Sequence, residues 1–176
     1  MKLETLNNAP QAEAESLFRD CCGSTAWARE MAEFRPFAGA ASLLDQAEKI
    51  WWNLGAEDWL EAFASHPQIG AKLGDKKGAP KQQERSAEWS KGEQTGITEA
   101  DDAVRDDLAE ANRLYEDKFG YIFIVCATGK SAGEMLGICR ERLRNNADAE
   151  IHIAAGEQKK ITELRLKKLL NDQDSF

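Results

Sequence analysis

The sequence predicts an all-α domain, and three observations carry that reading. Apolar residues recur at spacings of three and four through most of the 176 residues, the period of one helix face. No long stretch alternates strictly between apolar and polar residues, as a half-buried strand would. The one strand-like run, YIFIVC at 121–126, is short and has no plausible partner, and one strand does not make a sheet. A chain of this length fits a single domain over 1–176 and can bury roughly 70% of the surface its unfolded form exposes. The expected architecture is seven or eight helices packed on one another with one short extended connector.

Leu43, Leu44, Ala47, Ile50, Trp51 and Leu54 form one apolar stripe and Trp59, Leu60 and Phe63 the next, so two helices follow each other here. The second must stop at His66, because Pro67 disfavours helical backbone in the residue before it. The segment IGAKLGDKKGAPK, residues 69–81, is rich in Gly and Lys and reads as a loop. Residues 86–96, SAEWSKGEQTG, have almost no apolar anchor beyond Trp89 and the adjacent Ile97, and a helix that polar is ordinarily a solvated face. Thr98 with Asp101 three residues on signals a helix start; Val104, Leu108, Ala111 and Tyr115 mark its buried face, and Phe119–Gly120 its end. Ser131 with Glu134 is a capping-box pattern opening a helix carried by Met135, Cys139 and Leu143. The last helix runs from about Asp148 to Leu170.

Asp and Glu number 31 against 23 Lys and Arg, a net charge of −8, whereas a surface that holds phosphate backbones needs a local excess of the opposite sign. Nucleic acid is therefore not an expected partner. No run approaches the roughly 18 apolar residues of a membrane span, and MKLETLNNAPQAEAE lacks the basic and apolar regions of a secretory signal, so no membrane association is expected and the location is expected to be cytoplasmic. Cys21, Cys22, Cys126 and Cys139 show no CxxC spacing, and with only His66 and His152 beside them no zinc set can be assembled. They read as reduced, mostly buried thiols, and no metal is expected.

Three places could carry chemistry. His66 sits where a rigid turn can aim a histidine outward, although a surface or capping role is the commoner reason for such a histidine; His152 reads as structural. Ser90, Glu93 and Gln94 fall within about one turn of each other, in the polar segment whose ordinary role is solvation. Arg165 lies on the stripe Ile151, Ala154, Gln158, Ile161, Arg165, Leu169, which points a guanidinium at apolar neighbours. It must snorkel to the edge of the core, pair with an internal carboxylate or face a polar cavity. GKS at 129–131 imitates a phosphate loop, but GxxxxGK[ST] requires glycine at position 124, which is Ile124.

Beyond these single residues, HPQIG (66–70), WSKGEQTGI (89–97), LYEDKFGYIFIVCATGKS (114–131), RERLRNNADAEIHIA (140–154) and EQKKITELRLKKL (157–169) together resemble the 2-oxo-4-hydroxy-4-carboxy-5-ureidoimidazoline (OHCU) decarboxylase family. CCGSTAWAREMAEFRPF at 21–37 is similar too, so the resemblance spans nearly the whole chain in the family's order, and the 69–81 loop looks longer than the family minimum. It implies an all-α enzyme of urate breakdown that removes CO2 from OHCU to leave (S)-allantoin. The family's functional histidine, glutamate and arginine fall on His66, Glu93 and Arg165. Pro67, Ser90, Gln94, Gly120, Ile122 and Phe123 are expected to bind the small-molecule substrate. The resemblance implies no cofactor, and a homodimer. A helical interaction module without catalysis, or a nucleotide-binding protein, are the alternatives. The first would scatter His66, Glu93 and Arg165; the second would be stabilised by ATP or GTP with Mg²⁺.

Overall fold

The computed structural model describes residues 1–69, 84–93 and 100–171, and among these it places nine helices and no strand. The all-α expectation is met. The count exceeds seven or eight because the first helix, α1 (Leu3–Asn8), buries only Leu6 and is too short to display a period. The 69–81 loop beyond Ile69, as well as Gln94 and Thr98, lie outside the described residues. None of the helices described is long and apolar enough to cross a membrane. The chain divides into two compact units, one formed by 1–62 with 159–176 and the other by 63–158.

The first unit holds α1, α2 (Gln11–Cys22), α3 (Thr25–Glu33), α4 (Ala40–Asn53), most of α5 (Ala56–Ala64) and the second half of α9 (Ala147–Asn171). Gly23, at φ 91°, turns the chain out of α2 in the left-handed conformation that glycine adopts without strain, and the Ser24 hydroxyl caps α3 by accepting from Trp27 N–H at 3.2 Å. Phe18, Trp27, Met31, Leu43 and Trp51 fill the core. Phe18 meets Trp27 edge-on at 5.9 Å. The buried indoles of Trp27 and Trp59 donate to the carbonyls of Ala47 and Trp51, each at 3.0 Å. Leu60, expected on the inner stripe of α5, is exposed; Trp59, Ala62 and Phe63 are the buried face.

The second unit holds the end of α5, α6 (Glu84–Glu93), α7 (Asp102–Phe119), α8 (Ala132–Arg142) and the first half of α9. Helix α7 begins at Asp102 with Asp101 as its N-cap, so the expected start at Thr98 is corrected; its end, with Gly120 at φ 80°, is as expected. The Ser131–Glu134 capping box forms at the head of α8, both reciprocal hydrogen bonds being present. Helices α7 and α8 pack around Leu108, Tyr115, Phe123, Met135 and Cys139. Between them residues 122–127 belong to no helix and pair with no strand among the described residues. Their backbone is held instead by side chains, which provide the hydrogen bonds that a buried chain must find somewhere.

Candidate active site

That segment is the feature around which the predicted residues of the second unit gather. Gly120 supplies the left-handed turn into it, Ile122 is half-buried, and Phe123, Ile124 and Val125 are buried. Three side chains fix it. Arg142 Nη1 donates to the Ile124 carbonyl at 2.7 Å, Glu157 Oε2 accepts from Cys126 N–H at 2.8 Å, and Lys130 Nζ donates to the Cys126 carbonyl at 2.6 Å. No hydrogen bond from the backbone N–H groups of Ile122 and Phe123 occurs among the described residues, so these donors line the segment without a ladder to occupy them.

His66 stands on the bend after α5, where its N–H still bonds to the Phe63 carbonyl at 3.1 Å before Pro67 ends the helix. The residue is half-buried, and its Nε2 is withdrawn from solvent. Two contacts seat this bend. The Phe63 ring lies 5.3 Å from that of Tyr121, which brings the end of α5 to the start of the segment. Asn112 of α7 donates to the Ile69 carbonyl at 2.7 Å, holding the chain just after Gln68. His66 thus follows by three residues the ring that meets Tyr121, at the start of the segment that carries Ile122 and Phe123.

Helix α6 corrects an expectation. Its composition predicts a solvated polar side, yet Ser86 and Ser90 are 6% and 4% exposed, and Glu93, three residues further round the same face, is half-buried. Buried serine hydroxyls need hydrogen-bond partners, from their own helix or from polar groups packed against it. Glu93 is also near enough to the far end of the segment for its charge to act on the Cys126 thiol, which burial first and foremost pushes up. Glu93 therefore acts electrostatically on the Cys126 end of that segment.

Arg165 belongs to the first unit and is 1% exposed, on a stripe where Gln158, Ile161 and Leu169 are buried as the spacing predicts. It is near enough to Cys22 for its charge to favour the thiolate; burial nonetheless dominates and pushes that thiol up to about 11, with the Thr162 hydroxyl also bonded to it. So the guanidinium does not snorkel to the surface but is buried in the core near Cys22. His152 is exposed on α9, as a structural residue would be, and all four cysteines are buried and form no disulfide.

Sequence reasoning missed the residues that hold the segment. Glu150, fully buried, accepts from Arg142 Nε at 2.6 Å, from Asn145 at 2.7 Å and from the Tyr115 hydroxyl. Arg142 falls seven residues after Met135 and three after Cys139, on the buried side of α8, and that placement is the signal a sequence offers for it. A separate cavity of about 260 Å³ in the first unit, floored by Trp27, Trp51 and Leu166, holds none of the predicted site residues. Its rim carboxylates Asp45, Glu48 and Glu163 are each paired with a lysine at 2.6 Å.

A family model described as OHCU decarboxylase matches residues 7–167. The chain is 40% identical over 161 residues to the uric acid degradation bifunctional protein TTL of Arabidopsis thaliana, covering 90% of this chain and 48% of that protein. It is 27% identical over 178 residues to the uric acid degradation bifunctional protein of Bacillus sp. (strain TB-90), covering 99% of this chain and 33% of the other. The chain thus spans less than half the length of these curated relatives. A crystal structure of OHCU decarboxylase in the presence of (S)-allantoin superposes with a TM-score of 0.74 at 38% identity, over 88% of this chain and 97% of that one. With the family model covering most of its length, the chain belongs to the OHCU decarboxylase family.

Proposed function

We propose that this protein decarboxylates OHCU to (S)-allantoin, with His66, Glu93 and Arg165 as its catalytic groups. The observation that carries the reading is the inward polar face of α6: Ser90 is buried, and the half-buried Glu93 acts by its charge on the Cys126 end of a segment whose Ile122 and Phe123 N–H groups have no intramolecular bond among the described residues. The similarity to a decarboxylase crystallised with (S)-allantoin gives the substrate class.

Decarboxylation leaves an electron pair on carbon and is fast only if that pair has somewhere to go. Many decarboxylases use an organic cofactor as the sink. OHCU carries its own, a ring imine beside the carbon that loses CO2, so the reading requires no cofactor. The protein must orient the substrate and deliver one proton to one face. His66, whose ordinary pKa is about 6.5, exchanges a proton at the hydroxyl and carboxylate end. Glu93 holds the ring or relays the proton that sets the S configuration, with Gln94 bonding a carbonyl. Arg165 takes the substrate's anionic or carbonyl oxygens through a two-pronged contact. Pro67, Ser90, Gly120, Ile122 and Phe123 shape the pocket.

The finer assignments of a homodimer and a cytoplasmic location belong to the same reading. Large apolar side chains left exposed, Phe34, Trp52 and Leu60 among them, support the first, and four thiols that form no disulfide support the second. The deciding experiment follows the circular dichroism of allantoin as it forms from freshly generated OHCU. Acceleration and a single enantiomer are expected. A racemic product at the spontaneous rate would remove the reading.

A further inference from the structure

We propose that the buried Tyr115–Arg142–Glu150 cluster is a positioning device for the reaction. A single guanidinium sets both the Ile124 carbonyl and the Phe123 ring, and so determines where the 120–126 backbone meets the substrate. The proposal rests on the decarboxylase reading and adds to it residues that touch no substrate.

A strand takes its position from the ladders on either side; this segment has none and must be placed from points. Arg142 is the principal point. It spends every nitrogen of its fork: Nε on Glu150 at 2.6 Å, Nη1 on the Ile124 carbonyl at 2.7 Å, and Nη2 on the Tyr115 hydroxyl at 3.1 Å. The face of the same guanidinium lies 4.8 Å from the centre of the Phe123 ring and 5.6 Å from that of Tyr115. Glu150 cannot shift in response, because Asn145 and the Tyr115 hydroxyl bond it from other directions. Burial pushes the Tyr115 phenol up, so it stays protonated and keeps donating.

Stability alone does not explain this arrangement, since well-packed apolar side chains stabilise a core as well as a buried ion pair or better. What the pair provides that apolar packing does not is direction at one carbonyl and one ring. Two residues further on, Glu157 holds the Cys126 N–H at 2.8 Å, a second clamp on the same run. The residues whose backbone donors are proposed to bind substrate, Ile122 and Phe123, lie between these clamps and the turn at Gly120.

The test compares steady-state OHCU turnover in the whole protein, per folded molecule and well below the melting temperature. Arg142→Lys keeps the charge opposite Glu150 but loses the fork, and Tyr115→Phe removes only the hydroxyl. Glu157→Gln keeps an acceptor for the Cys126 N–H, and Glu157→Leu removes it. Misplaced backbone donors should raise KM about tenfold or more in Arg142→Lys and Glu157→Leu, with kcat falling less and Glu157→Gln restoring near wild-type KM. A purely structural cluster would lower the melting temperature and leave KM and kcat of the folded fraction unchanged, which overturns the proposal. If Arg142→Lys does not fold, Tyr115→Phe and the two Glu157 variants decide, and unchanged KM in them overturns it equally. No turnover in the wild type would instead overturn the decarboxylase reading, and this proposal with it; wild-type turnover with unaffected variants overturns the positioning role alone.

Discussion

At the scale of single residues, His66 and Arg165 differ in what surrounds them, and their substitutions should differ accordingly. His66 sits half-buried on a bend whose backbone bond to Phe63 and whose Asn112–Ile69 contact remain without the imidazole. His66→Asn should therefore lower kcat/KM by about 10²-fold or more with little change in melting temperature, because it removes a titrating group and keeps a hydrogen-bonding one. Near wild-type turnover in this variant would make His66 a turn residue. Arg165 is almost wholly buried near Cys22, so its removal tests both stability and chemistry. If its fork serves the substrate, Arg165→Lys and Arg165→Met should lose catalysis and retain most of the melting temperature, since an ammonium cannot make a planar two-pronged contact. If it instead compensates an internal carboxylate, Arg165→Met should cost about 3–5 kcal/mol of stability, with normal turnover in what remains folded, and Arg165 leaves the site.

At the scale of elements, legibility follows period and chemistry. The stripe of α9 places Gln158, Ile161, Arg165 and Leu169 at spacings of three and four, and all four are buried as that spacing predicts. The capping box of α8 is legible because its two partners are three residues apart. Two things are not. The inward face of α6 carries Ser86 and Ser90 in place of apolar residues, so a pattern that looks for hydrophobicity reports solvent. The clamps on 120–126 come from Arg142 and Glu157, which are 18 and 31 residues from the groups they hold, and no local spacing records such pairs. Helix α8 joins the two kinds of information, since its legible cap lies at one end and its illegible clamp, Arg142, at the other. Ser131→Ala should remove the reciprocal bonds of the box and cost about 1 kcal/mol, a fall of roughly 2–4 °C in melting temperature for a chain of this size. Differential scanning calorimetry would measure it, and an unchanged Tm would mean that packing on α7 alone holds the helix start.

At the scale of the whole molecule, three thiols and two phenols are shifted in one direction. Cys22 and Cys139 are pushed up to about 11, and Cys126, Tyr115 and Tyr121 are raised as well, burial being the largest cause in every case. Each holds its proton more tightly folded than unfolded, where thiols titrate near 9.0 and phenols near 10.0. Their contribution to stability is therefore complete below about pH 9 and declines as pH rises beyond it, because the unfolded chain gives up protons first. The decline from Cys22 levels off above about pH 11, where the folded thiol also ionises. Over that window Cys22, which is fully buried, should account for about 2–3 kcal/mol. Lysine ion pairs titrate in the same range, so the fall in wild-type melting temperature does not by itself identify the thiols. The comparison with Cys22→Ala does. Its side chain has no proton to lose, so the stability gap between wild type and variant should be widest near pH 7 and close by about that amount as pH approaches 11. Thermal unfolding of both proteins at one-unit steps from pH 7 to 11 measures the gap. A gap constant across the series would show that the Cys22 thiol is not held protonated by the core, and with it would go the account of Arg165 as a charge beside a neutral sulfur.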